Sequence, residues 1–260
     1  MYCDYVGRRW PNINHVNGLG NGRETIEERE RFDKESELDD KINVRPHIAR
    51  LLGEQSLPIQ YYTGPIESCN FDEIPVPCVI KTRCQTGGAV LLSDKNTSTI
   101  SDIVEKFKKR WSYRGMNNDV IIEEKLKLPV ENGLDRRYEL MTFGGVVKTI
   151  NVTYENINSK KIVLPFDRNW CRTLLYHNSV APIQRTVPEP DNLVDIIDFA
   201  ETCAKYYMQY TGIRHVRISI YDLNGILKFG EYTGATCGGT GGGSLFQRQM
   251  GTWWKEASLT

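Results

Sequence analysis

The sequence predicts an α+β fold. Short runs of β-branched and aromatic residues alternate with amphipathic helical patterns, strand-like runs often follow one another directly, and internal repeats are absent. A chain of 260 residues can build one sizeable domain or two small ones. Its 33 basic and 33 acidic residues cancel, so charge gives no argument for a nucleic-acid partner or an anionic membrane.

The helices are predicted from apolar residues that recur every three or four positions. Residues 44–52 form one such segment, stopped by Gly53, and residues 191–210 form the strongest, ended by Gly212. Residues 101–110 form a third, with Ser101 as its N-cap. The charge-dense stretch 23–41 fits either an exposed helix or a solvated lead-in.

The strands are predicted from β-branched and aromatic runs at residues 78–80, 89–92, 120–126, 138–147 and 152–154. Thr86, Gly87 and Gly88 connect the first two runs. Small residues let backbone N–H groups approach an anion closely, and Lys81 in the preceding strand favours phosphate. A plain glycine turn is the alternative.

Residues 216–221 and 226–232 predict a hairpin near the C-terminus. Its loop can have two residues or three. A two-residue Asn-Gly loop would pair Arg217 with Tyr232 and leave Glu231 on the opposite face. A three-residue loop, 223–225, would pair Arg217 with Glu231 and Ser219 with Phe229.

The three-residue loop would put a polar group on one face of the hairpin, comprising Arg217, Ser219, Tyr221, Glu231 and Thr233. A basic residue, an acidic residue and hydroxyl groups on one face of a sheet can hold a metal ion and the phosphates that it neutralises. The alternative is a surface hairpin with an ordinary cross-strand ion pair.

The composition indicates a cytoplasmic protein. The N-terminal residues have no apolar core of an export signal, and no stretch approaches the ~18 apolar residues of a spanning helix. The seven cysteines include no C-x-x-C pair and are expected to be scattered thiols. The four histidines show no ligand or triad spacing.

The order of the motifs resembles the ATP-grasp superfamily, in particular its TupA-like branch, named for teichuronopeptide biosynthesis. The fragments that carry the resemblance are, in chain order, DKINVRPHIARLLGE with Lys41 and Arg45, VIKTRCQTGG, VIIEEKL, RRYELMTFGGVV, LPFDRNW, VPEPDNLVDIIDFAETCAK and HVRISIYDLNGILKFGEYT. Each fragment is weakly specific, but their shared order covers nearly the whole chain from about Leu38.

The resemblance implies an ATP-grasp fold, in which two α+β lobes clamp ATP. The expected domains are residues 1–74 as an N-terminal segment and small subdomain, 75–128 as the N-terminal lobe, and 129–260 as the C-terminal lobe. It also implies an ATP- and Mg²⁺-dependent ligase that joins a carboxylate, on a small molecule or glycan, to an amine through an acylphosphate. A kinase and a catalytically weak nucleotide-binding module are the alternatives.

The resemblance also implies roles for individual residues. Lys81 would pair with the α and β phosphates, and the Thr86, Gly87 and Gly88 loop would close over the β and γ phosphates. Arg217 would stabilise charge on the transferred phosphoryl group, and Glu231 with Thr233 would bind magnesium. The adenine would contact the backbone of the hinge strand, formed by Glu123, Glu124, Lys125 and Leu126.

Several positions depart from the family pattern. The acid usually found two residues after the arginine is Ser219 here, and a hydroxyl is a poorer magnesium ligand than a carboxylate. Where the branch has Asp-x-Lys, this chain has Arg137 and Glu139. The acid that holds ribose is therefore expected to be Glu139 or Asp135.

Overall fold

The computed structural model describes residues 26–83, 89–112, 119–131, 134–155, 162–175, 186–234 and 244–259. These ranges contain five α-helices: α1 Ile26–Asp39, α2 Val44–Leu52, α3 Thr97–Ser112, α4 Leu193–Thr211 and α5 Ser244–Leu259. The strands are β1 Gln60–Pro65, β2 Cys78–Thr82, β3 Val90–Leu92, β4 Asp119–Glu124, β5 Val130–Glu131, β6 Leu134–Phe143, β7 Val146–Glu155, β8 Ile162–Phe166, β9 His215–Leu223 and β10 Ile226–Thr233. The predicted α+β class is confirmed.

The first sheet has the strand order β1-β4-β2-β3, and each neighbouring pair is antiparallel. Alternate side chains of β2 and β4, such as Ile80 and Val120, point to an apolar core that includes Phe107 of α3. The intervening residues, among them Lys81 and Glu123, lie on the other face. This face is therefore free to carry charge.

The second sheet has the order β10-β9-β6-β7-β8, with β5 paired to β6. One face of this sheet packs on α1, α2 and α4. The residues of this face include Leu140, Ile150 and Ile218. The residues that alternate with these along each strand point to the opposite face. Many of them are charged or carry hydroxyl groups, so this face is polar. Helix α5 covers one end of that face through Met250 and Phe246, which pack on Met141.

The helix predictions are confirmed for α2 and α4. Gly53 follows α2 with φ of 85°, and Gly212 follows α4 in the left-handed conformation with φ of 71°. The charged lead-in also forms a helix, α1. The prediction for Ser101 was wrong: α3 begins at Thr97, so Ser101 lies inside the helix and is not its N-cap.

The predicted strand at residues 138–147 is two strands. Gly144 and Gly145 have φ of 60° and 78°, conformations that turn the chain back on itself between β6 and β7. The strand prediction overlooked this turn because valines continue the β-branched pattern immediately after it.

The C-terminal hairpin corrects the predicted loop. Leu223 pairs with Ile226, so the loop has two residues, Asn224 and Gly225, with φ of 54° and 97°. Ser219 pairs with Glu231, not with Phe229, and Arg217 pairs with Thr233, not with Glu231. The three-residue loop was therefore the wrong choice.

A β-bulge restores the predicted common face. The register shifts between Phe229 and Glu231, so that Gly230 is the additional residue on β10. Without this shift the two-residue loop would have turned Glu231 away from Arg217. With it, Arg217 and Ser219 share one face with their partners Thr233 and Glu231. The bulge thus brings the acid to the polar face.

We predict that Gly230→Ala destabilises the protein. A Cβ at this position would lie 3.0 Å from the Ser219 carbonyl oxygen and 3.1 Å from Tyr221 Cε2, so these neighbours would have to move by a few tenths of an ångström. Overpacking of this kind costs about 1–3 kcal/mol. The measurement is the free energy of unfolding in urea, with Ile226→Ala, at an exposed site on the same strand, as control. Equal stability of Gly230→Ala and the wild type would contradict the prediction.

Candidate functional site

The polar face of the second sheet meets the charged face of the first sheet. Lys228 of β10 donates a hydrogen bond from Nζ to the Leu57 carbonyl at 2.9 Å, and its Nζ lies 4.0 Å from Glu124 Oε1. The Lys81 ammonium lies 6.0 Å from the centre of the Tyr221 ring. These contacts place the charged residues of both sheets beside a common site.

Glu123 is the central acid on the side of the first sheet. Its side chain is buried, and its two carboxylate oxygens accept hydrogen bonds from Arg45 Nη1 and Lys81 Nζ, both at 2.5 Å. Burial alone would lower the pKa of the Lys81 ammonium, but the nearby Glu123 carboxylate raises it above its ordinary value. Lys81 is therefore a fixed cation, and two cations share one carboxylate.

Arg217 is the central cation on the side of the second sheet. Its Nη2 donates to Thr233 Oγ1 at 2.9 Å and lies 3.3 Å from Glu231 Oε1. Its Nη1 lies 3.7 Å from Glu139 Oε2. The side chain is only 9% exposed, and its buried Nε has no hydrogen-bond partner among the described residues. Lys41 Nζ is 3.7 Å from Glu231 Oε2.

Glu139 is the most buried acid of this face, with 3% of the residue exposed. Besides Arg217 it contacts Arg137, whose Nη2 lies 3.2 Å from Glu139 Oε1 and 3.0 Å from Glu155 Oε2. Arginines therefore lie on both sides of the Glu139 carboxylate.

The hinge segment after β4 contains a second, separate ion pair. Lys125 Nζ lies 2.8 Å from Asp135 Oδ2 and 3.2 Å from the Leu126 carbonyl oxygen. The backbone N–H of Glu124 donates to the Ile59 carbonyl at 2.9 Å, so it is already used within the fold. The backbone of Lys125 and Leu126 lies beyond the strand.

The structure brings together Lys81, Glu123, Glu139, Arg217, Glu231 and Thr233 from the predicted set. The predicted phosphate loop, Thr86, Gly87 and Gly88, lies outside the described residues, as does the glycine tract at 235–243. The described cysteines, Cys69, Cys78, Cys171 and Cys203, are free thiols, as expected. None of the described helices is long and apolar enough to cross a membrane.

The donor chemistry of the site fits Mg²⁺ that is partly held by phosphate. The candidate ligands are the Glu231 carboxylate and the Thr233 hydroxyl, and oxygen donors are what Mg²⁺ prefers. In the described ranges, three or more His, Cys, Asp or Glu side chains nowhere come together as a metal site. Mg²⁺ commonly binds one or two carboxylates together with substrate phosphates and water, so such a cluster is not required.

The model of the TupA-like ATPgrasp family matches residues 24–253. The fold is that of the ATP-grasp class, and the chain belongs to the TupA-like ATP-grasp family. No curated protein gives a match to this sequence.

Solved structures show the same fold. A D-alanine–D-alanine ligase from Bacillus anthracis is similar with a TM-score of 0.54 at 16% identity, covering 87% of this chain and 69% of the ligase. A structure of a Bacillus anthracis D-alanine–D-alanine ligase complexed with ATP has a TM-score of 0.52 at 14% identity, covering 87% and 67% of the two chains. The predicted ATP-grasp fold is thereby confirmed.

Asp39, at the end of α1, is an unusual acid that the sequence motifs do not single out. Burial, and secondarily the charge of Glu35, raises the pKa of Asp39 from 3.8 to about 8. Its Oδ1 is buried without a hydrogen-bond partner among the described residues. The only sequence signal near Asp39 is the fragment that begins with Asp40 and Lys41. A raised pKa depends on neighbours in three dimensions, which the sequence does not reveal.

We predict that Asp39 makes stability depend on pH. Its pKa is raised in the folded state, so the folded protein binds the proton more tightly than the unfolded chain between about pH 4 and pH 8. Stability should therefore fall as pH rises through that window, and Asp39→Asn should reduce the fall. The measurement is urea unfolding from pH 4 to 9 in metal-free buffer. The exposed Asp33 on the same helix provides the control, Asp33→Asn, and equal pH slopes for Asp39→Asn and the wild type would contradict the assignment.

Proposed function

We propose that this protein is an ATP-dependent carboxylate–amine ligase that works through an acylphosphate. The observation that carries the proposal is the pair of fixed cations, Lys81 and Arg217, held by buried acids on facing sheets in an ATP-grasp fold. The proposed carboxylate substrate is a small molecule or a glycan acid, as the teichuronopeptide branch implies. Amide formation is the reaction that this fold class serves in the similar D-alanine–D-alanine ligases.

The phosphates would bind between Lys81 and Arg217. Glu123 holds Lys81 and Arg45 together, so two positive charges meet one negative charge on this side. On the other side the unpartnered Nε of Arg217 provides a donor for a phosphate oxygen. The excess positive charge on the Lys81 side favours a polyphosphate over a neutral ligand.

The adenosine would bind at the hinge. The N–H of Glu124 is used by Ile59, so we assign the adenine contacts to the backbone of Lys125 and Leu126. Of the two acids considered for ribose, Asp135 lies beside this segment, because Lys125 bonds both to Asp135 and to the Leu126 carbonyl. Glu139 lies instead among the arginines, at the phosphate end of the site.

The chemistry follows from the placement of Arg217. The substrate carboxylate would attack the terminal phosphorus, and ADP would leave. Arg217 would stabilise the charge that develops on the transferred phosphoryl group, since a fixed cation needs no reorganisation during the reaction. Mg²⁺ would neutralise the phosphates, with Glu231 and Thr233 as protein ligands. An amine would then displace phosphate from the acylphosphate.

We predict that Lys81→Ala loses most of the stabilisation that ATP provides. At a concentration 100-fold above Kd, a ligand stabilises the folded state by about 2.7 kcal/mol. The measurement is the melting temperature with and without millimolar ATP and Mg²⁺, and the control is Lys108→Ala, which removes an exposed lysine of α3. An unshifted wild type would refute nucleotide binding at this site.

We predict that ADP and phosphate are released together only when both a carboxylate and an amine are present. The acylphosphate is consumed by the amine, so neither substrate alone should sustain turnover. The measurement is ADP and phosphate release, with the products identified by mass spectrometry. A stable phosphorylated acceptor without amide would favour the kinase, while nucleotide binding without turnover on a broad panel would favour the binding module that Ser219 suggests.

A further inference from the structure

A row of oxygen-bearing side chains crosses four strands of the second sheet on its polar face. Ser219 of β9 is the register partner of both Glu139 on β6 and Glu231 on β10. Glu139 is in turn the register partner of Asn151 on β7. Directly opposite residues in antiparallel strands share a face, so these four side chains form one line in the order Asn151, Glu139, Ser219, Glu231.

Buried atoms without a hydrogen-bond partner among the described residues lie in or beside this row. Asn151 is 2% exposed, and its Oδ1 has no hydrogen-bond partner in the described part of the chain. The Nε of Arg217, whose guanidinium contacts both Glu139 and Glu231, is likewise buried without a partner among these residues. Unsatisfied buried polar atoms are costly, and a bound ligand is one explanation for keeping them.

We propose that Glu139 and Glu231, which lie on either side of Ser219, together bind the divalent cation. Glu139 thus supplies, from the neighbouring strand, the carboxylate that Ser219 lacks. This inference rests on the proposed function, because it assigns the metal ligands of the same site. A β-sheet allows the substitution, since direct partners on adjacent strands reach the same space above the face.

The contacts of Arg217 show how the cation would be accommodated. The guanidinium of Arg217 lies near both carboxylates, at 3.7 Å from Glu139 and 3.3 Å from Glu231. A positive charge is therefore already held between these two acids. With nucleotide bound, a phosphate would be a new partner for Arg217, and Glu139 and Glu231 would hold the cation, whose charge would neutralise them. The two acids remain neutralised throughout.

The test is the affinity for an ATP analogue with a β,γ-imido bridge, measured by calorimetry in saturating Mg²⁺ and again in EDTA. The ratio of the two affinities isolates the metal's contribution. Loss of even an outer-shell partner typically costs 10–100-fold in metal affinity, so Glu139→Gln should lower the ratio at least about tenfold. Binding in EDTA should be unchanged or tighter, because Arg217 is released for phosphate.

Glu155→Gln is the matched control, since Glu155 also pairs with Arg137 but lies outside the row. It should leave the ratio unchanged. Ser219→Asp, added to Glu139→Gln, should restore the ratio by returning a carboxylate to the centre of the row. If Glu139→Gln does not fold, Glu139→Asp, which keeps the charge and shortens the side chain, should still lower the ratio.

The outcomes separate the two proposals. If the wild type binds the analogue with metal dependence and the Glu139 variants match Glu155→Gln, the role of Glu139 is refuted while nucleotide binding stands. If the wild type binds the analogue in neither buffer, both the proposed function and this inference are refuted. A lowered ratio for the Glu139 variants, with rescue by Ser219→Asp, supports the metal site.

Discussion

The site depends on Glu123, one buried carboxylate shared by two cations. Its oxygens join Arg45 of α2 to Lys81 of β2, while Glu123 itself belongs to β4, so one side chain links a helix that packs on the second sheet to two strands of the first. Removing one partner from a buried pair commonly costs about 3–5 kcal/mol, because the other charge is left unpaired. The arrangement therefore fixes the position of Lys81 within the fold.

On the polar face of the second sheet, oppositely charged side chains also hold one another in place. Arg137, Glu139, Arg217 and Glu231 are neighbours on adjacent strands, and each charge has an opposite charge within 4 Å. The apolar face of the same strands packs on α4. Strict alternation lets a single sheet stabilise the fold with one face and hold a charged ligand with the other. The ion pairs hold the charged side chains of this face next to one another.

Much of this architecture is readable from the sequence because it rests on local patterns. The apolar stripe of α4 and its glycine stop predict the helix, and Arg217 and Glu231 stand out as charges within a β-branched hairpin. What escaped prediction depends on long-range pairing. Strand β1 contains Gly64 and Pro65 and is recognisable only through its pairing with β4, while β8 contains Pro165, which counts against a strand. The surroundings of Asn151 and Asp39 likewise depend on the register of β6 with β7 and on the burial of α1.

The bulge at Gly230 uncouples the turn of the hairpin from the functional face. On the turn side, Phe229 pairs with Ile220 as the tight Asn-Gly loop dictates; beyond the bulge, Glu231 pairs with Ser219 in the register that the site requires. The single added residue therefore allows the hairpin to form the tight turn and still place Glu231 on the polar face. In related chains with the same number of residues between these two positions, a turn longer by one residue keeps the acid opposite the Ser219 position only if the bulge is lost. Loop length and the glycine before the acid should consequently vary together, and this covariation offers a way to recognise the site in sequences whose loops differ.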